Sequence, residues 1–425
     1  MGKALNRHYW LSILLAFIIP LFPVILPALL VLLIANWISV RNKNWNILQR
    51  QHAPFLLIAF FFVYHLLGVV WSDNQSFAWF DIQIKLSFLL LPIIFITTPT
   101  FEKKEFNIIL NAFVFGCAGT VLFGVSNGLY EYYIGESSYL NLYHTKISPL
   151  LHIGYFSMYL NTAIAVLAFQ IMTGLSQGLR KVLLVKIALA ILFATATFLS
   201  TSLNGIIGLG VVLLSSIVIA VIKSKKWFLL ISFMLLSWIF IFSFFRVSIK
   251  DSEDKYGVQN VEKALGGEEL KKNEHKSSSV RVLIWRSAAE LIQQAPLLGQ
   301  GTGDVKDRLV ETYKKHEYKY PYEKRYNAHS QFLQTAVALG VPATLLLILM
   351  FFSPLIASWK RIHFLGVFLS IIITVACLTE SILEVQAGVV FYTFFASLFA
   401  QNMRLDYGTN FIDNPLIIKR KKHND

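Results

Sequence analysis

Apolar runs separated by short polar segments recur along the whole chain. Stretches 9–40, 106–130, 147–179, 187–222 and 326–359 hold no Lys, Arg, Asp or Glu, and five shorter charge-free stretches lie between them. A helix crossing a hydrocarbon core of ~30 Å needs about 20 residues at ~1.5 Å each. The 36 uncharged residues from Ile187 to Ile222 are too many for one crossing, so the chain must fold back there. The polar cluster Ser200-Thr201-Ser202-Leu203-Asn204 is the natural turn. Pro20, Pro23 and Pro27 split 9–40 in the same way and leave a short first arm. The pattern predicts about 12 spans, at 9–20, 23–39, 54–71, 79–97, 107–128, 150–173, 183–200, 204–222, 227–245, 332–353, 363–380 and 385–402.

Composition agrees with this reading. Of the 425 residues, 56% are hydrophobic and 15% charged, well below the quarter usual in soluble domains. The expected fold class is therefore an all-α polytopic integral membrane protein rather than two or three soluble domains. The net charge of +14 raises the question of a nucleic-acid partner, but most basic residues sit at span ends, so no nucleic acid is expected. Comparing alternate short loops, one set carries 20 Lys and Arg and the opposite set only Lys85 and Lys146. By the positive-inside rule both termini lie in the cytoplasm. Lys3 and Arg7 precede an apolar run without a small-residue cleavage site, which reads as an uncleaved first span. Cys117 and Cys377 both fall in apolar segments and read as buried structural thiols.

This organisation divides the chain into an N-terminal membrane bundle (1–245), a large exterior loop between spans 9 and 10 (246–331), C-terminal membrane helices (332–402) and a basic cytoplasmic tail (403–425). In a bacterium the protein is a multi-pass inner-membrane protein and the loop is periplasmic. Residues 250–279 are rich in Lys, Glu, Gly and Ser and read as a loosely ordered strip. The second part of the loop differs. Ser277-Ser278-Ser279 can cap a helix running through Gln294, with Val280, Leu283, Ile284, Leu291 and Ile292 on its apolar face, and Pro296 and Gly299 end it. A further short helix is expected within 304–325.

Three segments of the loop could carry chemistry. Arg281, Trp285 and Arg286 share one helix. An arginine fork suits a phosphate or carboxylate, and the alternative is an amphipathic surface helix whose arginines touch lipid headgroups. Pro296-Leu297-Leu298-Gly299-Gln300-Gly301-Thr302-Gly303-Asp304 lacks the Gly-Lys-Ser/Thr of a phosphate loop and follows a helix, so it reads as a tight turn that redirects the chain. Tyr326-Asn327-Ala328-His329-Ser330-Gln331 places a histidine at the mouth of a span, either as a proton acceptor or as a structural hydrogen-bonder.

The ordered set of Arg281-x3-Trp285, then Pro296 to Gly303, then His329-Ser330 followed by nine residues and Gly340, resembles the O-antigen ligase and polymerase superfamily of polytopic membrane proteins. Ala343 departs from the pattern, since ligases tend to carry Gly, Thr or Tyr there. The resemblance implies glycosyl transfer from an undecaprenyl diphosphate-linked glycan to an acceptor hydroxyl, on a lipid A-core or similar lipid or glycan, without nucleotide, metal or other cofactor. It also implies that Arg281 holds the diphosphate and His329 orients or deprotonates the acceptor.

Ligases commonly carry an arginine at the turn where this chain reads Ser202-Leu203-Asn204. Lys85 is the candidate replacement cation and Arg286 the runner-up, with headgroup snorkelling as the other reading of Lys85. His152, Tyr155 and Tyr159, near another exterior span end, could line a sugar or lipid groove or belong to an aromatic belt. The expected substrate-binding set is thus Arg286, Lys85, Trp285 and Tyr155. Loop 127–149 holds no arginine, which favours ligase over polymerase. A transporter of the same lipid-linked glycans, the other class considered, would place paired charges at mid-membrane, and no charge lies clearly at a span centre.

Overall fold

The computed structural model describes residues 3–41, 43–45, 52–135, 142–173, 180–224, 277–357 and 364–402. The expected span at 227–245, the exterior loop up to residue 276 and the basic tail 403–425 lie outside the described residues. Among the described residues the fold is all-helical, without a strand. In chain order the helices are α1 (Lys3–Ile18), α2 (Leu26–Ile38), α3 (Ala53–Gly68), α4 (Gln75–Lys85), α5 (Ser87–Thr97), α6 (Lys103–Tyr133), α7 (Ile153–Met172), α8 (Arg180–Leu199) and α9 (Leu203–Ser224). After the undescribed stretch come α10 (Ser277–Gln294), α11 (Val305–Lys315), α12 (Lys319–Lys324), α13 (Gln331–Ala357), α14 (Phe364–Thr379) and α15 (Gln386–Asn402).

Five of these are long and apolar enough to cross a membrane: Gln75–Thr97 (α4 with α5), Lys103–Tyr133, Ile153–Met172, Arg180–Leu199 and Gln331–Pro354. Shorter apolar helices accompany them at Pro23–Ile38, Ala53–Gly68, Leu203–Val218 and Leu365–Thr379. The 31 residues of α6 reach ~46 Å, longer than one crossing, and Glu102 and Glu105 cap its start reciprocally. The α1–α2 hairpin turns partway along α6. Thr120 donates to the Pro20 carbonyl at 2.8 Å, and a Cβ on Gly116 would sit 2.3 Å from the Phe17 carbonyl oxygen.

The last described helix is the innermost. Every residue of α15 from Gly388 to Asn402 is buried, with α3, α5 and α14 packed around it. Phe395 meets Phe113 edge-on at 4.6 Å, and Phe391 lies 4.6 Å from the Tyr159 ring. Two polar side chains of α15 bind carbonyls inside the bundle: Tyr392 donates to that of Met350 at 3.1 Å and Gln401 to that of Phe95 at 2.8 Å.

Turns 69–74, 142–152, 200–202 and 380–385 collect with α10–α12 at one end of the bundle, where His144 meets Thr201, Tyr155 meets Ile382 and Arg281 meets Glu380. The glycine-rich segment is the clasp between them. Gly299 and Gly301 hold positive φ (68° and 112°). The amides of Gln300 and Gly301 donate to Val337 and Ala338 at 2.7 and 2.9 Å, and Val341 returns a bond to Pro296 at 2.8 Å. Those carbonyls are free because α13 kinks at Gly340 (φ 79°, ψ 179°) and Pro342, four residues after Ala338, has no amide hydrogen; the expected span 332–353 is kinked there. Further along the clasp, Thr302 donates to the His65 carbonyl at 2.7 Å, and Asp304 accepts the amides of Asp73 and Asn74 at 2.8 and 2.7 Å. The segment binds α3 and the start of α4 as well as α13.

Candidate active site

α10 reaches its position through its apolar face. Val280, Ile284, Ala288 and Leu291 are buried with Val337, Ala338 and Leu339 of α13, and Gly299 closes the helix by donating to the Ala295 carbonyl at 3.0 Å. Arg281, beside this face, then extends toward the turn after α14. Its Nη2 donates to Oε1 of Glu380 at 3.0 Å.

His329 arrives from the other side. Its backbone is left-handed (φ 44°), a conformation that costs on the order of 1 kcal/mol for a residue with a Cβ. Asn327 Oδ1 accepts its amide at 3.1 Å, and the Tyr326 ring stands edge-on to the imidazole at 5.1 Å. The imidazole Nδ1 lies 3.2 Å from Oε2 of Glu380. One carboxylate thus takes Arg281 on one oxygen and His329 on the other. Burial pushes the Glu380 carboxyl up, but the His329 hydrogen bond and the charges of His329, Arg281 and His152 outweigh it and hold the group below the ordinary carboxylate range. An ionised carboxylate only accepts, so Nδ1 carries a hydrogen, and in the neutral imidazole the lone pair is then on Nε2. Among the described residues Nε2 has no hydrogen-bond partner.

Four residues further along the same turn, Glu384 anchors a second network. Lys85, 1% exposed, lies between Asp81 at 2.5 Å and Glu384 at 3.2 Å. The other oxygen of Glu384 accepts Gln331 Nε2 at 2.8 Å, and Gln331 Oε1 accepts the Leu383 amide at 2.8 Å. Gln331 is two residues beyond His329, so this turn fixes the start of α13 as well.

Of the residues singled out in the sequence, the structure brings Arg281 and His329 together through Glu380. Tyr155 is one step away, donating to the Ile382 carbonyl at 3.2 Å, while Tyr159 donates to that of Ala387 at 3.0 Å. His152 caps α7 by accepting the Gly154 amide at 3.3 Å. The Ser202-Leu203-Asn204 turn lies alongside: a Cβ on Gly154 would be 3.6 Å from both Asn204 Nδ2 and Glu380 Cγ. Lys85 is near but occupied by two carboxylates. Trp285 and Arg286 are not part of the cluster and are exposed on α10. Arg286 lines an open cleft of about 530 Å³ with Glu290, Gln293, His316 and Tyr318. Hydrogen bonds from Lys315 and His316, both 2.6 Å, hold Glu290 below its ordinary range.

Sequence reasoning missed Asp81, Gln331, Glu380 and Glu384. A signal existed, since Glu380 and Glu384 are the only acidic residues between Glu323 and Asp406, and they stand four apart between two apolar spans. Acids so placed invite a functional reading. Among the described residues no group of three or more His, Cys, Asp or Glu side chains is arranged to hold a metal ion.

Helices of this length and apolarity, with a polar cluster at one end of the bundle, define a multi-pass membrane protein. The O-antigen ligase family model matches residues 188–348, which include Arg281, His329 and Gly340. Over this stretch the chain is similar to the O-antigen ligases, a superfamily whose members are glycosyltransferase-like membrane enzymes. Among curated proteins none matches the chain.

Proposed function

We propose that the protein is an O-antigen ligase-type glycosyltransferase, taking a glycan from an undecaprenyl diphosphate carrier to an acceptor hydroxyl on a lipid A-core or similar acceptor at the periplasmic face of the inner membrane. The observation that carries this reading is the convergence of Arg281 and His329 on one half-buried carboxylate at the end of the bundle where the loop helices gather. The unprotonated Nε2 of His329 accepts the acceptor's proton as the hydroxyl oxygen bonds to the anomeric carbon. The bond from that carbon to the phosphate oxygen breaks, and the carrier leaves as a diphosphate anion. Arg281 stabilises the charge that develops there. Lys85 enters this reading as the cation that balances Asp81 and Glu384 behind the site. The apolar runs support about twelve spans, and the lysine and arginine asymmetry supports both termini being cytoplasmic.

The arginine-poor loop 127–149 favours ligase over polymerase. Arg281, His329 and Glu380 meet where a loop helix and two turns gather at one end of the bundle rather than within a span, which favours an enzyme over a transporter.

The test is donor binding and turnover by folded variants in detergent and excess chelator. Arg281→Ala should weaken binding of the lipid diphosphate and be nearly inactive, and Arg281→Lys should keep the charge but lose the fork and be substantially impaired. His329→Ala should bind donor nearly normally and lose ~10²-fold or more in transfer. Near-normal turnover by His329→Ala removes the histidine from the mechanism. Extension of carrier-linked glycan in place of transfer to a core acceptor would make the enzyme a polymerase.

A further inference from the structure

Glu380 lies outside the stretch matched by the family model, 99 residues from Arg281 and 51 from His329 in sequence, yet it is hydrogen-bonded to both. Its side chain is 19% exposed, with those of Arg281 and His329 at 23% and 25%, so the three meet in a partly dehydrated place where a carboxylate has strong effects on its neighbours. The turn that carries it is held on both flanks, by Tyr155 on the Ile382 carbonyl and by Gln331 on the Leu383 amide. Such fixing suits a group that positions others.

We infer that Glu380 is the positioning residue of the transfer reaction: it holds His329 in the Nδ1–H tautomer with Nε2 toward the acceptor hydroxyl, and it holds Arg281 until the donor diphosphate competes for the guanidinium. The inference rests on the glycosyl-transfer reading above. Two consequences follow from the shared carboxylate. An imidazole hydrogen-bonded to a carboxylate is the stronger base, because the imidazolium formed when it takes the hydroxyl proton is stabilised by the adjacent negative charge. The same carboxylate neutralises Arg281 in the empty site, so it opposes donor binding while assisting transfer. A residue that serves only to hold the fold would not have these opposite effects.

Glu380→Gln is nearly isosteric and removes only the charge. In the purified full-length enzyme it should lower kcat by ~10²-fold, leave donor KM unchanged or lower it, and move the acid limb of the kcat–pH profile to lower pH, since His329 loses the anion that favours its protonated form. Glu380→Asp keeps the charge at shorter reach; it should retain the wild-type acid limb and recover part of kcat. In wild-type enzyme labelled with ¹⁵N-histidine, His329, assigned by its loss in His329→Ala, should give the Nδ1–H tautomer. Its appearance as Nε2–H would overturn the proposal even if Glu380→Gln failed to fold. Wild-type kcat and pH profile in folded Glu380→Gln would do the same, provided Arg281→Ala and His329→Ala are impaired. Full activity in those two variants would instead bring down the glycosyl-transfer reading itself.

Discussion

Gly340 and Gly299 face each other across the clasp, and each is needed for a reason that can be measured. A Cβ on Gly340 would lie 2.4 Å from the Leu297 carbonyl oxygen, and one on Gly299 would lie 2.4 Å from the Ala338 carbonyl group, both on backbones at positive φ. Gly340→Ala should therefore destabilise by more than ~1 kcal/mol and lower the melting temperature in detergent. Gly210→Ala, in α9 with nothing within 4 Å of the added Cβ, is the matched control and should be neutral or slightly stabilising. Equal melting of the two variants would mean that the clasp is dispensable. The turn at 296–304 was legible from its glycines, and the spacing from His329 to Gly340 was noticed, but its physical reason was not. Val337-Ala338-Leu339-Gly340-Val341 reads as uninterrupted apolar helix, because the backbone that pairs with it comes from 37 to 45 residues upstream.

Among the helices, α4 and α5 are the pair whose junction the sequence described least well. The expected span began at residue 79, whereas α4 starts at Gln75, and the two helices meet at Leu86 immediately after Lys85. Lys85 was legible as a charge near a span end, but the sequence could not show that Asp81, one turn earlier, and Glu384, on a turn 299 residues away, flank it. Removing the cation strands one buried and one half-buried carboxylate. Lys85→Met should cost roughly 3–5 kcal/mol, and adding Asp81→Asn should recover part of the loss. Thermal unfolding in detergent reads both. A stable Lys85→Met protein that binds the lipid diphosphate weakly would turn Lys85 from a structural cation into a donor-facing one. Glu380 was hidden for the same reason as Glu384: spacing along a chain reveals neighbours on one helix, not partners on opposite sides of a bundle.

At the scale of the whole molecule, hydrophobic patterning was the most informative layer, because apolar length is a local property and a bilayer imposes it residue by residue. Orientation is carried by another local property, the basic loops, and is open to direct test. Cys117 and Cys377 are buried, so an introduced thiol will report alone. In spheroplasts, Lys306→Cys, exposed on α11, should react with a membrane-impermeant reagent and Lys181→Cys, exposed at the start of α8, should not. Equal labelling would reverse or abolish the proposed topology.

The buried position of α15 also bears on how the protein is made. Synthesis runs from the N-terminus, so α3, α5 and α14 emerge before the helix they enclose. Until Gln386–Asn402 is added, those helices have a vacant centre, and Phe113 and Tyr159 lack their ring contacts with Phe395 and Phe391. The bundle closes from outside inward, and its closure waits for the last described helix. A nascent chain stopped at residue 385 would already carry Arg281, His329, Glu380 and Glu384, yet it would have no centre around which to hold them, and membrane proteases would meet it as an open shell.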